Sequence, residues 1–313
     1  MRLNKMLGTK YPFIQGGMAN IATGEFAAAV SNAGGLGLIG GGGMDAEQLR
    51  EQIRIAKERT DHPFGVNLML MNPHADAMAE VLIEEDIKIV TTGAGNPEKY
   101  IQKWKEHGMM IIPVVSSTLL AKRMERAGVD AVIAEGTESG GHVGEMTTMA
   151  LVPQMVDALQ IPVIAAGGIA DGRQLAAAFS LGCIGVQLGT CLLASEECPI
   201  HPAYKEAVLK AKDNDTIVTG RIAGTPVRIL KNAMAREYVK QEKAGVDKME
   251  LEKFTLGSLR RAVFEGDTKT GSLMAGQVVG QLNSIRTLSV IFQSMYEEYQ
   301  ETVRKLREEL NED

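Results

Sequence analysis

Aromatic residues, cysteines and long apolar runs are scarce in this chain of 313 residues. Phe, Trp and Tyr make up 4% of it, and no apolar run approaches the roughly 20 residues that a membrane-spanning helix needs. Cys183, Cys191 and Cys198 form no C-x-x-C pair, which argues against a disulfide framework or a zinc site. The first eight residues lack the apolar centre of a secretory signal, so we expect a reducing, cytoplasmic compartment.

Two familiar phosphate-binding motifs are also missing. No G-x-x-x-x-G-K-[ST] loop occurs, and the glycine-rich residues 37–43 do not match the G-x-G-x-x-G spacing of a dinucleotide fold. A nicotinamide cofactor, if used, would therefore act as a transient reductant rather than as a group held by such a fold. The net charge of −6 gives no reason to expect nucleic acid as a partner.

Eight short apolar runs dominate the first two thirds of the chain. They cover residues 13–18, 36–42, 64–70, 87–95, 109–115, 131–136, 162–168 and 185–193. Continuous rather than alternating apolar character indicates parallel strands that are covered on both faces. Helical patterns fit between them, for example at 45–59 and 172–181, with Asp45 and Asp171 as N-caps. We therefore predict an α/β fold, a (β/α)8 TIM barrel, rather than a doubly wound sheet.

Residues 203–270 depart from this pattern. They contain few strand-like runs, so we expect a small, mostly helical insertion that acts as a substrate or lid domain. Residues 1–202 and 271–313 would form the barrel, with an amphipathic helix from about 285 to 310 packing back on it. Residues 203–261 contain 13 Lys and Arg but 8 Asp and Glu, and this excess indicates either a solvated helix surface or a docking face for an acidic partner.

Glycines lie in the last two apolar runs. Gly167 and Gly168 close one run, and Gly189 and Thr190 lie in the second half of the next. At the ends of the last two strands of a barrel, main-chain N–H groups and a helix N-terminus can hold a phosphate, and glycine lets the chain approach it closely. The sequence therefore predicts a phosphorylated cofactor.

Side chains after the other strands suggest the chemistry. His142 follows two glycines in the loop after the sixth run, and an imidazole there can donate a hydrogen bond or a proton near neutral pH. Glu135, which ends that run, could hold a cation, fix the His142 loop or serve as a structural carboxylate. Cys191 is better explained as a buried thiol than as a nucleophile. No metal ligand is predicted.

Several of these segments together resemble a known superfamily. Residues 15–18, 33–37, 64–67, 135–142, 165–169 and 187–190 resemble the nitronate monooxygenase and FMN-dependent enoyl-reductase superfamily. Within it, residues 91–97, 133–136 and 272–277 are most similar to the enoyl-[acyl-carrier-protein] reductase II (FabK) group. The resemblance extends from about residue 3 to the C-terminal helix.

The resemblance implies an FMN cofactor and a reaction. The FMN phosphate would lie on Gly167, Gly168, Gly189 and Thr190. The rest of the cofactor would be lined by Gly17, Met18, Asn67, Thr92, Glu135, Gly141, Gln187, Met274 and Ala275. NAD(P)H would reduce FMN, whose N5 would pass a hydride to Cβ of a trans-2-enoyl thioester in fatty-acid elongation. His142 would stabilise or protonate the resulting enolate.

The resemblance also implies partners. Acidic acyl carrier protein would dock on the basic insertion 203–261, where the candidates are Lys205, Lys210, Lys212, Arg221, Arg228 and Lys231. A monovalent cation and a homodimer are further family-level expectations, without assigned ligands. The first alternative is a nitronate monooxygenase, in which His142 would be the base and oxygen the oxidant. The second is a flavin-free phosphate-binding barrel.

Overall fold

The computed structural model describes residues 2–310, so the outermost residues of the two predicted barrel segments, 1 and 311–313, lie outside it. The strands of that range are β1 Phe13–Gln15, β2 Gly37–Gly40, β3 Phe64–Met69, β4 Ile89–Gly93, β5 Met110–Val115, β6 Val132–Glu135, β7 Gly141–His142, β8 Val163–Ala166, β9 Val186–Leu188, β10 Thr216–Thr219 and β11 Val227–Leu230.

The α-helices of the same range follow in chain order. They are α1 Leu3–Leu7, α2 Gly24–Asn32, α3 Ala46–Arg59, α4 Ala75–Glu84, α5 Glu98–Glu106, α6 Thr118–Arg126, α7 Thr148–Ala158, α8 Gly172–Ser180, α9 Pro202–Lys210, α10 Ala233–Lys243, α11 Lys248–Thr255, α12 Ser258–Arg260 and α13 Leu288–Glu309. Thr190–Ala194 and Gln277–Gln281 form 3-10 helices, and Arg261–Glu265 forms a π-helix. No helix within residues 2–310 has the length and apolar character needed to cross a bilayer.

Eight parallel strands form the barrel. Their order is β1-β9-β8-β6-β5-β4-β3-β2. A parallel bridge between Ile14 and Leu36 joins the two ends of this sheet, and the N–H of Gln15 donates to the carbonyl of Leu36 at 2.9 Å. The predicted (β/α)8 TIM barrel is therefore confirmed.

The barrel interior is filled at its N-terminal end. Isoleucines from β4, β5, β6 and β8 form one buried cluster with Leu3 and Leu7 of α1. Leu3 is fully buried, and its N–H donates to the carbonyl of Ile184, just before β9. Among residues 2–310, α1 therefore closes the N-terminal end of the barrel, and the cavity opens at the opposite end.

Capping and packing fix the outer helices. Asp45 and Asp171 each form a capping box with the glutamine three residues later, which confirms both predicted N-caps. The C-terminal helix α13 packs on α8, where the N–H of Gly172 donates to Glu298 Oε2 at 2.8 Å. The predicted return of the C-terminal helix to the barrel is thus confirmed.

The last barrel strand is shorter than the sequence suggested. The apolar run 185–193 was expected to be one strand, but β9 ends at Leu188 and residues 190–194 form a 3-10 helix. Gly189, with φ of −124° and ψ of −76°, leaves the extended conformation and ends the strand. The residues after it are apolar because they are buried beneath α9, not because they belong to the sheet.

The segment 203–270 combines the predicted helices with an unpredicted hairpin. Its strands β10 and β11 pair antiparallel, and β11 also pairs with β7 of the barrel loop to complete a three-stranded sheet. Ile229 of β11 packs with Met234 and Tyr238 of α10 and with Leu251 of α11 in a small separate core. This segment therefore continues a structure that begins in the barrel loop at His142.

Candidate functional site

A cavity of about 650 Å³ opens at the C-terminal end of the barrel. Its wall contains residues at or just after the ends of all eight barrel strands, together with residues 138–144, Leu259, Met274 and Val278. Barrel enzymes place their active sites at this end. A larger, more open groove of about 970 Å³ runs outside the barrel between α5 and α6 and holds none of the predicted site residues.

Three glycines, Gly167, Gly168 and Gly189, leave the main chain without side chains on one side of the cavity, and we call them the glycine cradle. Gly167 and Gly168 have φ of +88° and +78°, a conformation that costs an L-residue roughly 1–2 kcal/mol. A Cβ built on Gly189 would meet no atom nearer than Met18 Sδ at 4.0 Å, so it would project into open space. An anionic group can therefore approach the main chain here.

Asn67 and Gly17 pack against each other at the ends of β3 and β1. A Cβ on Gly17 would lie 2.3 Å from Asn67 Cβ, so only glycine fits. Asn67 Nδ2 donates to Thr91 Oγ1 at 2.8 Å, which holds its amide toward the barrel interior. Because side chains alternate along a strand, the neighbouring Thr92 points to the opposite face and does not line the cavity.

Two polar atoms in the cavity wall have no hydrogen-bond partner among the described residues. They are Oε1 of Gln187, whose side chain is only 7% exposed, and Oγ of Ser139. An unsatisfied buried polar atom costs roughly 1–3 kcal/mol, and native proteins pair almost all of them. Both atoms are therefore available to a ligand. Ser139 was not predicted, although its place between Glu135 and His142 in the sequence could have suggested it.

Glu135 brings a carboxyl group into the cavity wall at the end of β6. Burial raises its pKa to about 7, and the nearby Ser139 hydroxyl opposes the rise without forming a well-aligned hydrogen bond. At neutral pH this carboxyl group can hold or release a proton. Within residues 2–310, no cluster of three His, Cys, Asp or Glu side chains is suited to a metal ion.

His142 lines the same cavity from strand β7. Its backbone pairs with Val227 of β11, and the following N–H, of Val143, donates to the carbonyl of Pro226 at 3.2 Å. The imidazole is accessible from the cavity, while the protein around it partly desolvates the ring and lowers its pKa below the usual value. A neutral imidazole can donate one hydrogen bond or accept a proton.

The segment 272–277 closes one side of the cavity. Tyr204 of α9 is fully buried, and its hydroxyl donates to the carbonyl of Met274 at 2.8 Å. The N–H of Gly276 donates to Thr190 Oγ1 at 2.8 Å. Met274 and Thr190 line the cavity, whereas Ala275 is buried with its backbone against Gly140 and does not.

Almost all of the predicted site residues meet in this one cavity. The members that line it are Gly17, Met18, Asn67, Glu135, Gly141, His142, Gly167, Gly168, Gln187, Gly189, Thr190 and Met274. Thr92 and Ala275 lie outside the lining. The three cysteines do not line the cavity. All three are buried, and burial raises each thiol pKa to about 12, so Cys191 is not an available nucleophile.

Two of the predicted docking cations do not present free charges. Arg228 is only 7% exposed, and its guanidinium donates to the carbonyl of Thr137. Lys205 is half-buried, with its ammonium donating to the carbonyls of Ser195 and Glu196. The members that remain exposed are Lys210, Lys212, Arg221 and Lys231.

Comparisons with known proteins show the family of this chain and its fold. The family model described as nitronate monooxygenase matches residues 1–82 and 74–298. A solved structure titled FabK from Thermotoga maritima superimposes with a TM-score of 0.95 at 50% identity, over 97% of each chain.

Two curated relatives carry different functional names. A probable nitronate monooxygenase from Staphylococcus saprophyticus is 35% identical over 88% of this chain and 91% of its own length. A hydroxy-methyl-oxo-octahydro-indene-carboxyl-CoA dehydrogenase from Rhodococcus jostii is 32% identical over 91% of each chain. The chain therefore belongs to the nitronate monooxygenase family and is a flavin-dependent oxidoreductase.

Proposed function

We propose that the flavin held in this cavity is FMN. The bare main chain at Gly167, Gly168 and Gly189 would receive its phosphate, and the unpaired Oε1 of Gln187 and Oγ of Ser139 would bond its polar atoms. The cavity volume of about 650 Å³ lies in the range of cofactor sites. The residues present therefore fit this group.

We propose further that the chain reduces trans-2-enoyl-acyl-carrier-protein to the acyl form. The observation that carries this proposal is the 50% identity to a FabK over 97% of each chain, together with a His142 imidazole on the same cavity as the glycine cradle. Bound FMN, reduced by NAD(P)H, would supply a hydride to Cβ of the enoyl group.

His142 would stabilise the enolate that this hydride transfer creates, and Cα would then take up a proton delivered through the His142 N–H and replaced from solvent. The lowered pKa of His142 keeps the ring neutral near pH 7, with one N–H to donate to the thioester carbonyl as negative charge develops there. A donor aimed at such an oxygen contributes roughly 2.7–4 kcal/mol of transition-state stabilisation. The likeness to a protein named as a carboxyl-CoA dehydrogenase supports a thioester as the substrate class.

Nitronate monooxygenase chemistry is the second candidate. The family model and the 35% identical relative carry that name. In this reaction the neutral His142 would take a proton from a nitroalkane, and oxygen would be the oxidant.

An anaerobic assay separates the two reactions. We expect the flavin-loaded protein to oxidise NADH or NADPH without oxygen when crotonyl-CoA is supplied, and to leave nitroethane unchanged even when oxygen is present. His142→Ala should lose this activity by roughly 10²–10³-fold, as expected for a lost oxyanion donor. Turnover of nitroethane with oxygen, and none of crotonyl-CoA, would establish the second candidate instead. A protein that shows no absorbance at roughly 450 nm after incubation with FMN and removal of the unbound FMN would rule out both.

The proposal includes acyl carrier protein as the partner, docked on the exposed cations of the segment 203–270. Lys210 and Lys212 are exposed at the end of α9, and neither is buried by the barrel. Treating this segment as a substrate domain, and the chain as a homodimer, belongs to the same proposal.

A charge reversal tests the docking surface. Lys210→Glu with Lys212→Glu should raise KM for acyl-carrier-protein substrates and leave KM for crotonyl-CoA unchanged, because only the former carries the acidic protein. Lys122→Glu, on the exposed face of α6, is the matched control. Equal effects on both substrates would contradict docking at this surface.

A further inference from the structure

Strand β11 joins two parts of the cavity wall that are distant in sequence. One edge of it pairs with β10, and the other edge carries His142 opposite Val227 and then Met274 opposite Ile229. The N–H of Leu230 donates to the carbonyl of Leu273 at 2.8 Å, which extends this contact by one residue. A single strand therefore sets the position of His142 relative to Met274.

Arg228 fastens this strand to the base of the His142 loop. Its Nε and Nη2 donate to the carbonyl of Thr137 at 3.1 and 2.9 Å, and its Nη1 donates to Thr216 Oγ1 at 3.1 Å. Thr137 is also where the loop closes, since its N–H donates to the carbonyl of Met146 at 2.7 Å. The loop is thus held at its base by the Arg228 side chain and at its tip by the β11 backbone.

The surroundings of Arg228 point to positioning rather than to stability. The side chain is buried, yet within residues 2–310 no carboxylate forms an ion pair with it, so its charge is desolvated while its hydrogen bonds go to neutral groups. Arg221 disfavours this charge and Glu138 favours it, both from beyond ion-pair distance. An apolar side chain would serve stability at least as well, because burying an arginine without a paired carboxylate is costly.

We propose that Arg228 is a positioning residue for the reaction, which acts by holding the loop of His142 in register with β11. This inference depends on the role of His142 in the proposed function. It makes the segment 203–270 part of the catalytic geometry, in addition to any role in docking a partner. Removing the guanidinium should leave His142 in the cavity but misaligned with the substrate carbonyl.

Arg228→Met and Arg228→Lys test the inference in the FMN-loaded protein, with crotonyl-CoA under anaerobic conditions. We expect Arg228→Met to lower kcat on the order of 10- to 100-fold, the size of effect that a displacement of about 1 Å produces. KM and the flavin content per chain should change by less than about twofold, since the lost interaction acts in the transition state. Arg228→Lys should recover part of kcat, because its ammonium can still donate one bond to Thr137.

Arg261→Met is the matched control. Arg261 donates to the carbonyl of Leu256 and to the carbonyl and hydroxyl of Thr270, so it makes the same kinds of bond on an exposed surface. We expect this variant to keep the kcat of the wild type. Wild-type kcat in Arg228→Met, or a loss explained entirely by missing flavin, would overturn the inference.

Hydrogen exchange keeps the inference separate from the proposed function. Amides 139–143 should exchange faster in Arg228→Met than in Arg261→Met, because the loop loses its anchor. If the wild type does not reduce crotonyl-CoA, the proposed function fails, and the exchange data alone decide whether Arg228 holds the loop. Equal exchange in the two variants would overturn that role.

Discussion

Gly189→Ala adds one methyl group to the cavity without disturbing the surrounding protein. The nearest heavy atom to the new Cβ is Met18 Sδ at 4.0 Å, which is ordinary contact. The φ of −124° is negative, so the left-handed strain of the neighbouring cradle glycines does not arise. By contrast, a Cβ on Gly167 would lie 2.7 Å from the carbonyl oxygen of Gly136 and would disturb the fold. Gly189 is therefore the position at which cofactor binding can be tested separately from stability.

The expected effect follows from the bonds that the methyl group would block. A hydrogen bond to a charged group contributes roughly 1.5–3 kcal/mol, and the new Cβ would keep the phosphate away from the main chain of β9. Since about 1.4 kcal/mol corresponds to a tenfold change, the Kd for FMN should rise roughly 10- to 150-fold. The free energy of unfolding without FMN should change by no more than about 1 kcal/mol, because no buried contact is lost and the effect of alanine on the unfolded chain is of that size.

Fluorescence titration of the flavin-free protein measures this Kd, and urea unfolding measures stability. Gly128→Ala is the control, since Gly128 has φ of +91° with nothing near its Cβ and lies outside the cavity. That control should lose roughly 1–2 kcal/mol of stability and keep its FMN affinity. If Gly189→Ala binds FMN as tightly as the wild type, the phosphate does not lie on Gly189, and the cofactor site is wrong.

Three further predictions concern ionisation and capping. The folded-state pKa of Glu135 is about 7 against 4.5 for the free group, so the wild type should lose up to roughly 3 kcal/mol of stability as pH rises from about 4.5 to about 7. Glu135→Gln should not show this loss when urea unfolding is followed across that range, and parallel plots of stability against pH for the two proteins would contradict the burial of the carboxyl group. A thiol reagent at about pH 8 should label none of the three cysteines in the native protein and all of them in urea, because burial raises each thiol pKa to about 12. Rapid labelling of any cysteine in the native protein would show an accessible thiol and contradict this prediction. Asp171→Ala should lower the free energy of unfolding by about 1 kcal/mol, since it removes the capping box of α8; an unchanged midpoint in urea would show that the cap does not contribute.

The barrel was predictable because its signals are local. Each run of continuous apolar residues marks a strand covered on both faces, and Asp45 and Asp171 mark the helix starts that follow two of them. The end of β9 was not predictable from hydrophobicity, because the 3-10 helix that follows Gly189 is equally apolar. A glycine within an apolar run was the available signal for that break.

The residue types in the segment 203–270 indicate a hairpin, whereas the net charge of the segment carries no information about it. Thr216–Thr219 is rich in β-branched residues, and Gly224 and Pro226 mark a turn before β11. Strand β7 had no local signal, because its two residues exist as a strand only through pairing with β11 some 85 positions later. The burial of Arg228 was hidden for the same reason, since its partner Thr137 is 91 residues away in the sequence.

The choice between the two candidate reactions cannot be made by substituting His142. Loss of a hydrogen-bond donor to an oxyanion typically lowers kcat by roughly 10²–10³-fold, and loss of a general base by roughly 10²–10⁴-fold. These ranges overlap, so an inactive His142→Ala is compatible with either reaction. The glycine cradle does not separate them either, because both reactions would use the same flavin. The two reactions differ in the compound that the enzyme consumes, so the comparison of crotonyl-CoA with nitroethane in the wild type decides the function.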